Sequence, residues 1–314
     1  MSYKPPYTIS EKSLNLVIEI TNLIAKVDAN RKSDVQLRKK NRIKTIVGTL
    51  AIEGNTLEVK QVTALLEGQR VMGSPKEIQE VKSALDAYEQ MEHLNPYVLD
   101  DLLKAHGVMM NALVVDAGHF RAVKVAVKGD DVIHVAPPPS QVPTLMDQLF
   151  GWLKGSTINP LISSAVFHYE FEFIHPFSDG NGRMGRFWQT LILSHYHPSF
   201  AFFPIESIIK ERQETYYKTL SACDAEGDST RFIEFILECI LVAVSSVISS
   251  EKSSENTDKA ILRYLSKYPK ATIRTLADEL DLSTRAIEKQ LANLKKEGRL
   301  QRIGSARKGS WEVM

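Results

Sequence analysis

Cysteine is almost absent from the 314-residue chain, which has only Cys223 and Cys239. The two form no C-x-x-C pair and stand in no ligand cluster, so neither a disulfide framework nor a zinc site of the usual spacing is expected. Both lie in apolar surroundings and are expected as buried thiols. Breakers are scarce as well, with 16 glycines and 13 prolines, which leaves long helical stretches open to the chain. An excess of one charge is also missing. The net charge of +1 argues neither for nor against nucleic acid, so the distribution of charge matters more than its sum. Met1 to Ser10 contains no apolar core of a signal peptide. One long apolar run, Phe232 to Ile248, contains Glu234 and Glu238, each costing about 2.5 kcal/mol or more at a bilayer centre. It is expected as a buried core helix, and the protein as cytoplasmic with no membrane partner. With 43% hydrophobic residues, the chain can build a packed core and disorder is not expected.

What is present is mostly helical periodicity. Leu14, Val17, Ile18, Thr21 and Ile24-Ala25 keep an i, i+3, i+4, i+7 pattern. Further helices are expected over 34–52, 61–67, 75–94, 96–111, 159–173, 184–195, 208–223 and 230–249. One segment alternates instead. Phe120 to Val127 places Val123, Val125 and Val127 on one face, Gly129-Asp130-Asp131 is turn chemistry, and 132–135 follows as a second strand. This predicts a β-hairpin, ended by Pro137-Pro138-Pro139 because proline cannot continue a ladder. Ser249 to Asp258 is polar and aperiodic and reads as a linker. Beyond it, residues 258–314 carry 13 Lys/Arg against 7 Asp/Glu, a basic segment. The expected domains are an N-terminal helical region (1–95), a core (96–248) and a small C-terminal domain (258–314).

The densest chemistry lies in His175-Pro176-Phe177-Ser178-Asp179-Gly180-Asn181-Gly182-Arg183-Met184-Gly185-Arg186. Two glycines one residue apart allow successive N–H groups to point into a concavity, and a helix starting near Gly182 adds its positive end. Such a cradle suits a polyphosphate. Arg183 and Arg186, three apart, share a helix face and can clamp further phosphates. Asp179 offers a hard oxygen to Mg²⁺, which usually keeps several waters and bridges phosphates. His175 can take a proton near neutral pH.

This string matches every fixed position of H-P-F-x-[D/E]-G-N-G-R-x-x-R, the signature of Fic domains, and the resemblance covers roughly residues 40–245. It extends upstream through Ala165 to Ile174 and downstream to Arg212, Tyr216-Tyr217 and Leu220. It implies a mostly α fold, a Fic helical core with a hairpin flap, and transfer of AMP from ATP to a hydroxyl of a target protein. In that reading His175 is the base, Asp179 holds Mg²⁺, and Asn181 contacts the α-phosphate region. Arg183 and Arg186 take the β- and γ-phosphates, and Gly180, Gly182, Met184 and Gly185 complete the nucleotide site. Tyr216 or Tyr217 would line the adenosine pocket. The hairpin resembles the Fic flap, with Arg121, Val123, Lys124 and Val125 offered to an extended target segment by β-augmentation. Thr49-Leu50-Ala51-Ile52-Glu53-Gly54 fits [S/T]-x-x-x-E-[G/N], which resembles the inhibitory motif of autoinhibited Fic proteins. Glu53 would then pair with Arg186, with Gly54 closing the helix that carries it.

The C-terminal segment resembles a winged helix-turn-helix domain. Helices are expected over 258–268, 273–280 and from Ser283, an N-cap, to Glu297 before Gly298. Two strands, 300–303 and 310–313, flank a Gly304–Gly309 wing tip carrying Arg307-Lys308. Thr284, Arg285 and Lys289 would face the major groove. Alternatives stay open: another phosphate-containing donor, a DNA-binding regulator whose Fic site only senses ATP, and protein docking instead of DNA binding. Self-modification and a homodimer are compatible with the same reading.

Overall fold

The computed structural model describes residues 3–29, 35–128, 133–305 and 309–314. The chain forms two compact units, residues 1–245 and 246–314. The first contains α1 (Glu11–Ala29), α2 (Val35–Ile52), α3 (Val59–Leu66), α4 (Pro75–Gln90), α5 (Leu99–Met109), β1 (Ala126–Lys128) and β2 (Ile133–Val135). These are followed by α6 (Val142–Gly155), α7 (Pro160–Ile174), α8 (Asn181–Tyr196), α9 (Ile205–Glu211) and α10 (Gln213–Glu226). The helix α11 (Thr230–Lys267) runs through the boundary between the units, and α12 (Ile273–Glu279), α13 (Thr284–Lys296), β3 (Leu300–Ile303) and β4 (Ser310–Val313) complete the chain.

The centre of the first unit is the α7–α8 pair. Asn159 caps α7 by accepting from Leu161 N, with Pro160 in the first turn, where a missing N–H costs nothing. Nearly every residue of α7 is buried, which is why its apolar residues occupy the whole circumference and not one stripe. Around the pair, Phe167, Phe171, Phe177, Phe187 and Trp188 pack with Leu50 of α2, Tyr88 of α4, Met109 of α5 and Phe150 of α6 in one continuous core. The α2 helix is tied to the following layer at three carbonyls: Ser207 Oγ donates to Lys44 O, Lys210 Nζ to Ala51 O, and Gln213 Nε2 to Ile52 O.

Several expectations change. In α1 the buried face is Ser13, Val17, Ile20 and Ile24, whereas Leu14 and Ile18 are half exposed. The roll of the helix is set by Ser10, which donates to Glu234, and Lys12, which pairs with Glu238 at 2.7 Å. The helix α6 falls in a stretch expected to hold no element; its proline lies in the first turn and starts the helix rather than breaking one. The single helix expected over 208–223 is two, α9 and α10, broken at Arg212 (φ −112°, ψ 28°). The polar stretch 249–258, expected as a linker, is helical and continuous within α11. The apolar half of α11, Thr230–Ser250, is long and apolar enough to cross a membrane by composition alone. Phe232, Ile236, Leu237, Ile240 and Val244 are nevertheless buried in protein, and Glu234 and Glu238 pair with Lys12.

The hairpin exists but is shorter than expected. β1 and β2 pair antiparallel, with Ala126 opposite Val135 and Lys128 opposite Ile133, while Phe120 to Val125 is not strand. The turn Gly129-Asp130-Asp131 lies outside the described residues. In the second unit, Ile261, Leu265, Leu276, Ile287, Leu291, Leu294, Leu300 and Trp311 form the core. Ser283 caps α13 by accepting from Ala286 N. Strands β3 and β4 pair antiparallel as the wing, Leu300 opposite Val313. The fold is thus mostly α, with two small two-stranded sheets among the described residues. Arg307 and Lys308, expected at the wing tip, lie outside the described residues.

Candidate active site

The helix α7 ends at His175, whose backbone is left-handed (φ 51°), an uncommon conformation for a residue with a side chain. That turn carries the chain into the loop that opens α8. Gly180, also left-handed (φ 85°), is the N-cap. A side chain there would strike Met110, whose sulfur would lie 2.6 Å from the added carbon. Asn181 is buried, and its amide bonds Phe177 at both ends: Oδ1 accepts from Phe177 N and Nδ2 donates to Phe177 O, each at 2.9 Å. Its side chain shapes the loop, which leaves the α8 N-terminal amides as the groups presented to an anion.

His175 Nδ1 lies 3.3 Å from Glu172 O. Donation to that carbonyl fixes the tautomer in which Nε2 keeps its lone pair, as a base requires. Asp179 is half exposed, and its Oδ1 accepts from Gly180 N at 2.6 Å and Arg183 Nη2 at 3.1 Å. Arg183 is buried and lies 3.7 Å from Glu80, and its Nε and Nη1 have no hydrogen-bond partner among the described residues.

Arg186 is engaged through Nε and Nη2. Nε donates to Thr49 Oγ1 at 2.9 Å, and Nη2 to Thr49 O at 3.2 Å and Glu53 Oε1 at 2.6 Å. The Glu53 carboxylate stands over the first turn of α8: a methyl group on Gly182 would come within 2.5 Å of Glu53 Oε1. Burial alone would lower the Arg186 pKa, but Glu53, with Tyr216 and Glu172, reverses this and raises it. Gly54, left-handed at φ 88°, turns the chain away after Glu53, and Asn55 Nδ2 bonds Glu80 at 2.8 Å.

Other expected site residues are placed less simply. Met184 is in the core, so only its backbone can reach a ligand. Gly185 is a contact between helices, with an added carbon 2.8 Å from Glu172 Oε1. Tyr216 is buried, its hydroxyl bonded to His168 Nε2 at 3.1 Å, so it lies behind the site. Tyr217 is 41% exposed, and its pKa is raised by burial and by the nearby Glu53; of the two tyrosines it is the one with a surface to offer. Arg121, expected to meet a target segment, is 2% exposed. Its guanidinium donates to the carbonyls of His175, Val123 and Pro137 at 2.7–3.0 Å, and its backbone N donates to Pro176 O. It is a staple between the flap root and the loop after His175. Val123 and Lys124 are exposed and Val125 is half-buried, all three preceding β1.

Sequence reading missed His106 of α5. It is fully buried, stacked on Phe177 at 3.6 Å between centroids. Its Nδ1 accepts from Gly118 N at 2.9 Å, so Nε2 carries the proton toward Asp179 O at 3.0 Å. Burial pushes its pKa down to about 4. Ser178 Oγ adds a bond to Asp116 at 2.7 Å. Nothing in the sequence marks His106, because its partners lie 12 and 73 residues away.

A Mg²⁺ ion brought in by a polyphosphate fits Asp179. The residue offers a single half-exposed carboxylate beside a helix N-terminus, and such an ion needs only one or two carboxylates besides waters and phosphates. No group of three or more His, Cys, Asp or Glu capable of holding a metal by itself occurs among the described residues.

Comparison with known proteins places this geometry. Residues 94–193 match the Fic/DOC family, and residues 254–301 match a winged helix-turn-helix DNA-binding family. A protein adenylyltransferase Fic from Culex quinquefasciatus is 32% identical over 213 residues, 64% of this chain and 40% of that protein. One from Drosophila yakuba is 28% identical over 243 residues, 74% of this chain and 47% of that protein. The chain therefore spans less than half the length of these curated relatives. The crystal structure of a Fic family protein from Desulfovibrio desulfuricans G20 superposes with a TM-score of 0.78 at 40% identity, covering 99% of this chain and 98% of that one. With mutual coverage this complete, and with the α7–α8 loop inside the matched segment, the chain belongs to the Fic family.

Proposed function

We propose that the protein is an adenylyltransferase that moves AMP from ATP to a side-chain hydroxyl of a target protein, restrained by Glu53. The observation that carries this reading is the sharing of one helix N-terminus by a tautomer-fixed base and an anion cradle. His175 has its Nδ1 against Glu172 O, and the α8 amides open directly after it. In the reaction the target oxygen bonds to the α-phosphorus, the bond to the departing pyrophosphate breaks, and the hydroxyl proton passes to His175 Nε2. Arg183, with two buried donors lacking acceptors, is ready for phosphate oxygens. Asp179 would hold Mg²⁺, which neutralises phosphate charge when bound. The relatives named protein adenylyltransferase Fic support the choice of donor. The β1–β2 hairpin supports a target strand pairing along its edge.

Purified Glu53→Gly protein incubated with ATP labelled at the α-phosphate should label itself or a lysate protein, and Glu53→Gly/His175→Ala should not. Label retained by the double variant removes His175 from the role of base. A mass increment other than that of AMP identifies another donor.

A second activity is supported by the C-terminal unit. Thr284, Arg285 and Lys289 are exposed on α13, the helix that a winged helix-turn-helix inserts into the major groove. Retention of the protein on duplex DNA should fall steeply between about 50 and 200 mM salt. Absence of retention at the lower salt assigns the unit to protein docking.

A further inference from the structure

The turn that follows Glu53 leads to the other arginine of the site. Gly54 delivers the chain to Asn55, which is buried and tied to α4. The Asn55 backbone N donates to Leu50 O at 3.1 Å, and its Oδ1 accepts from Leu57 N at 3.0 Å. Its Nδ2 donates to Glu77 O at 3.1 Å and to Glu80 Oε2 at 2.8 Å. Thr56 adds two bonds from the same turn to the Glu77 carboxylate. Both Nδ2 hydrogens and the side-chain oxygen of Asn55 are thus used, so its partners fix the orientation of the amide.

Glu80 stands between Asn55 and Arg183. It is buried, where a carboxylate is rarely found without a partner. Asn55 takes Oε2, while Oε1 lies 3.7 Å from Arg183 Nη1 and 4.0 Å from Lys76 Nζ. Lys76 is exposed, so its pair with Glu80 is weak. The pair with Arg183 is between two buried side chains, where opposite charges attract far more strongly than in water. It nevertheless stops short of a hydrogen bond. A free carboxylate so near a guanidinium would close to about 2.7–2.9 Å. The bond from Asn55 to the far carboxylate oxygen opposes that closure. Glu80 therefore offsets the charge of Arg183, while Nε and Nη1 keep hydrogens that have no partner among the described residues. Glu53 does the opposite on the other flank, where its Oε1 takes Arg186 Nη2 at 2.6 Å.

Resting on the reading that Arg183 receives phosphate, we propose that Asn55 is a positioning residue for nucleotide binding. It holds Glu80 at a distance from which the carboxylate balances the buried guanidinium without consuming its donors. Arriving phosphate oxygens meet free N–H groups and replace Glu80 as the counter-ion. Asn55 follows Glu53 by two residues in one turn. The segment that closes Arg186 thus keeps Arg183 open.

The test is calorimetric titration of the full chain with ATP and Mg²⁺, for wild type, Asn55→Ala, Glu80→Gln and the double variant. Asn55→Ala releases Glu80 onto Nη1 and should weaken ATP binding about tenfold, the change set by about one charge-assisted hydrogen bond. Glu80→Gln keeps the shape and removes the charge that phosphate displaces, so ATP should bind more tightly than to wild type. The double variant should match Glu80→Gln, because Asn55 then has no carboxylate to hold back. If Asn55→Ala does not fold, Asn55→Asp takes its place. It keeps an acceptor for Leu57 N, cannot donate to Glu80, and should show the same loss and the same rescue by Glu80→Gln. Damage to the turn alone would weaken binding equally with Glu80 or Gln at position 80, and that result overturns the proposal. Weaker binding by Glu80→Gln also overturns it, since the carboxylate would then aim the arginine. None of these measurements needs transfer: if Glu53→Gly labels nothing, the transfer reading fails while the ATP affinities still decide the role of Asn55. Absence of ATP binding in all four proteins overturns the proposal.

Discussion

The two flanks of the α8 N-terminus differ in how their arginines are satisfied. On one flank Arg186 Nε and Nη2 bond Thr49 and Glu53 at the C-terminal end of α2. On the other, Arg183 reaches Asp179 at 3.1 Å and Glu80 at 3.7 Å, with Nε and Nη1 lacking acceptors. Both side chains are almost wholly buried, so solvent does not explain the difference. An unsatisfied buried guanidinium is expensive, and a fold keeps one where an anion will arrive. The Arg186 flank is occupied by a carboxylate standing over the first turn of α8, and on the proposed reading it is the restrained half of the site, while the Arg183 flank is the half that receives phosphate.

His106 braces the loop on the Arg183 flank through its bond to Asp179 O at 3.0 Å, and the largest expected signature of that buried histidine is in stability. The ordinary histidine pKa of 6.5 falls to about 4 in the folded protein through burial. Between these values the unfolded chain binds a proton that the native state does not, so stability is lost as pH falls from 6.5 to 4 and levels off below. The full span corresponds to about 3 kcal/mol. Denaturant unfolding at pH 6.5 and pH 4.5 should show this component in wild type and lack it in His106→Asn, which keeps a donor and an acceptor but does not titrate. Equal pH dependence in the two proteins would separate His106 from the acid sensitivity of the fold.

The same contrast shows what the sequence could and could not reveal. That His175, the glycine turn and the two arginines lie together was legible because twelve consecutive residues carry them, and contiguity needs no knowledge of tertiary structure. The Ser283 cap and the β3–β4 wing were legible for the same reason, since capping and turn chemistry are local. What escaped depends on distant partners. The roll of α1 is set by Glu234 and Glu238, more than 200 residues away, and placed Leu14 and Ile18 outside. Arg121, read as target-facing from its place beside the alternating strand, is consumed by carbonyls after α7. The polar stretch 249–258 lacks periodicity yet has no glycine or proline to stop a helix entering from the apolar half of α11.

On the blocked flank, Glu53→Gly should raise self-labelling about a hundredfold, the order of cost that a misplacement of about 1 Å can impose on a reaction. ATP affinity should change much less, because the α8 amides and Arg183 remain. Glu53→Gly/Arg186→Ala should fall well below Glu53→Gly, since the released arginine is then needed for phosphate. Parallel labelling of the three proteins at fixed ATP checks the order. If wild type and Glu53→Gly label equally, the Glu53–Arg186 pair ends a helix and restrains nothing.

Thr49 should give a smaller effect in the same direction. Its hydroxyl accepts from Arg186 Nε at 2.9 Å and is fully buried, so Thr49→Val keeps the shape and leaves one donor of a buried cation unpaired. Hydrogen bonds to charged groups contribute about 1.5–3 kcal/mol, and part of that returns through Thr49 O, which accepts from Nη2. On the proposed reading, an Arg186 engaged with phosphate takes other acceptors and Thr49 serves the restrained arrangement. The loss therefore falls on the inhibited state, and Thr49→Val should label about tenfold faster than wild type while remaining below Glu53→Gly. In the Glu53→Gly background the same substitution should add nothing, because the arrangement it weakens is already gone. A fall in labelling in both backgrounds would instead show that Thr49 aims Arg186 at the nucleotide, and would move α2 from the restraint into the working site.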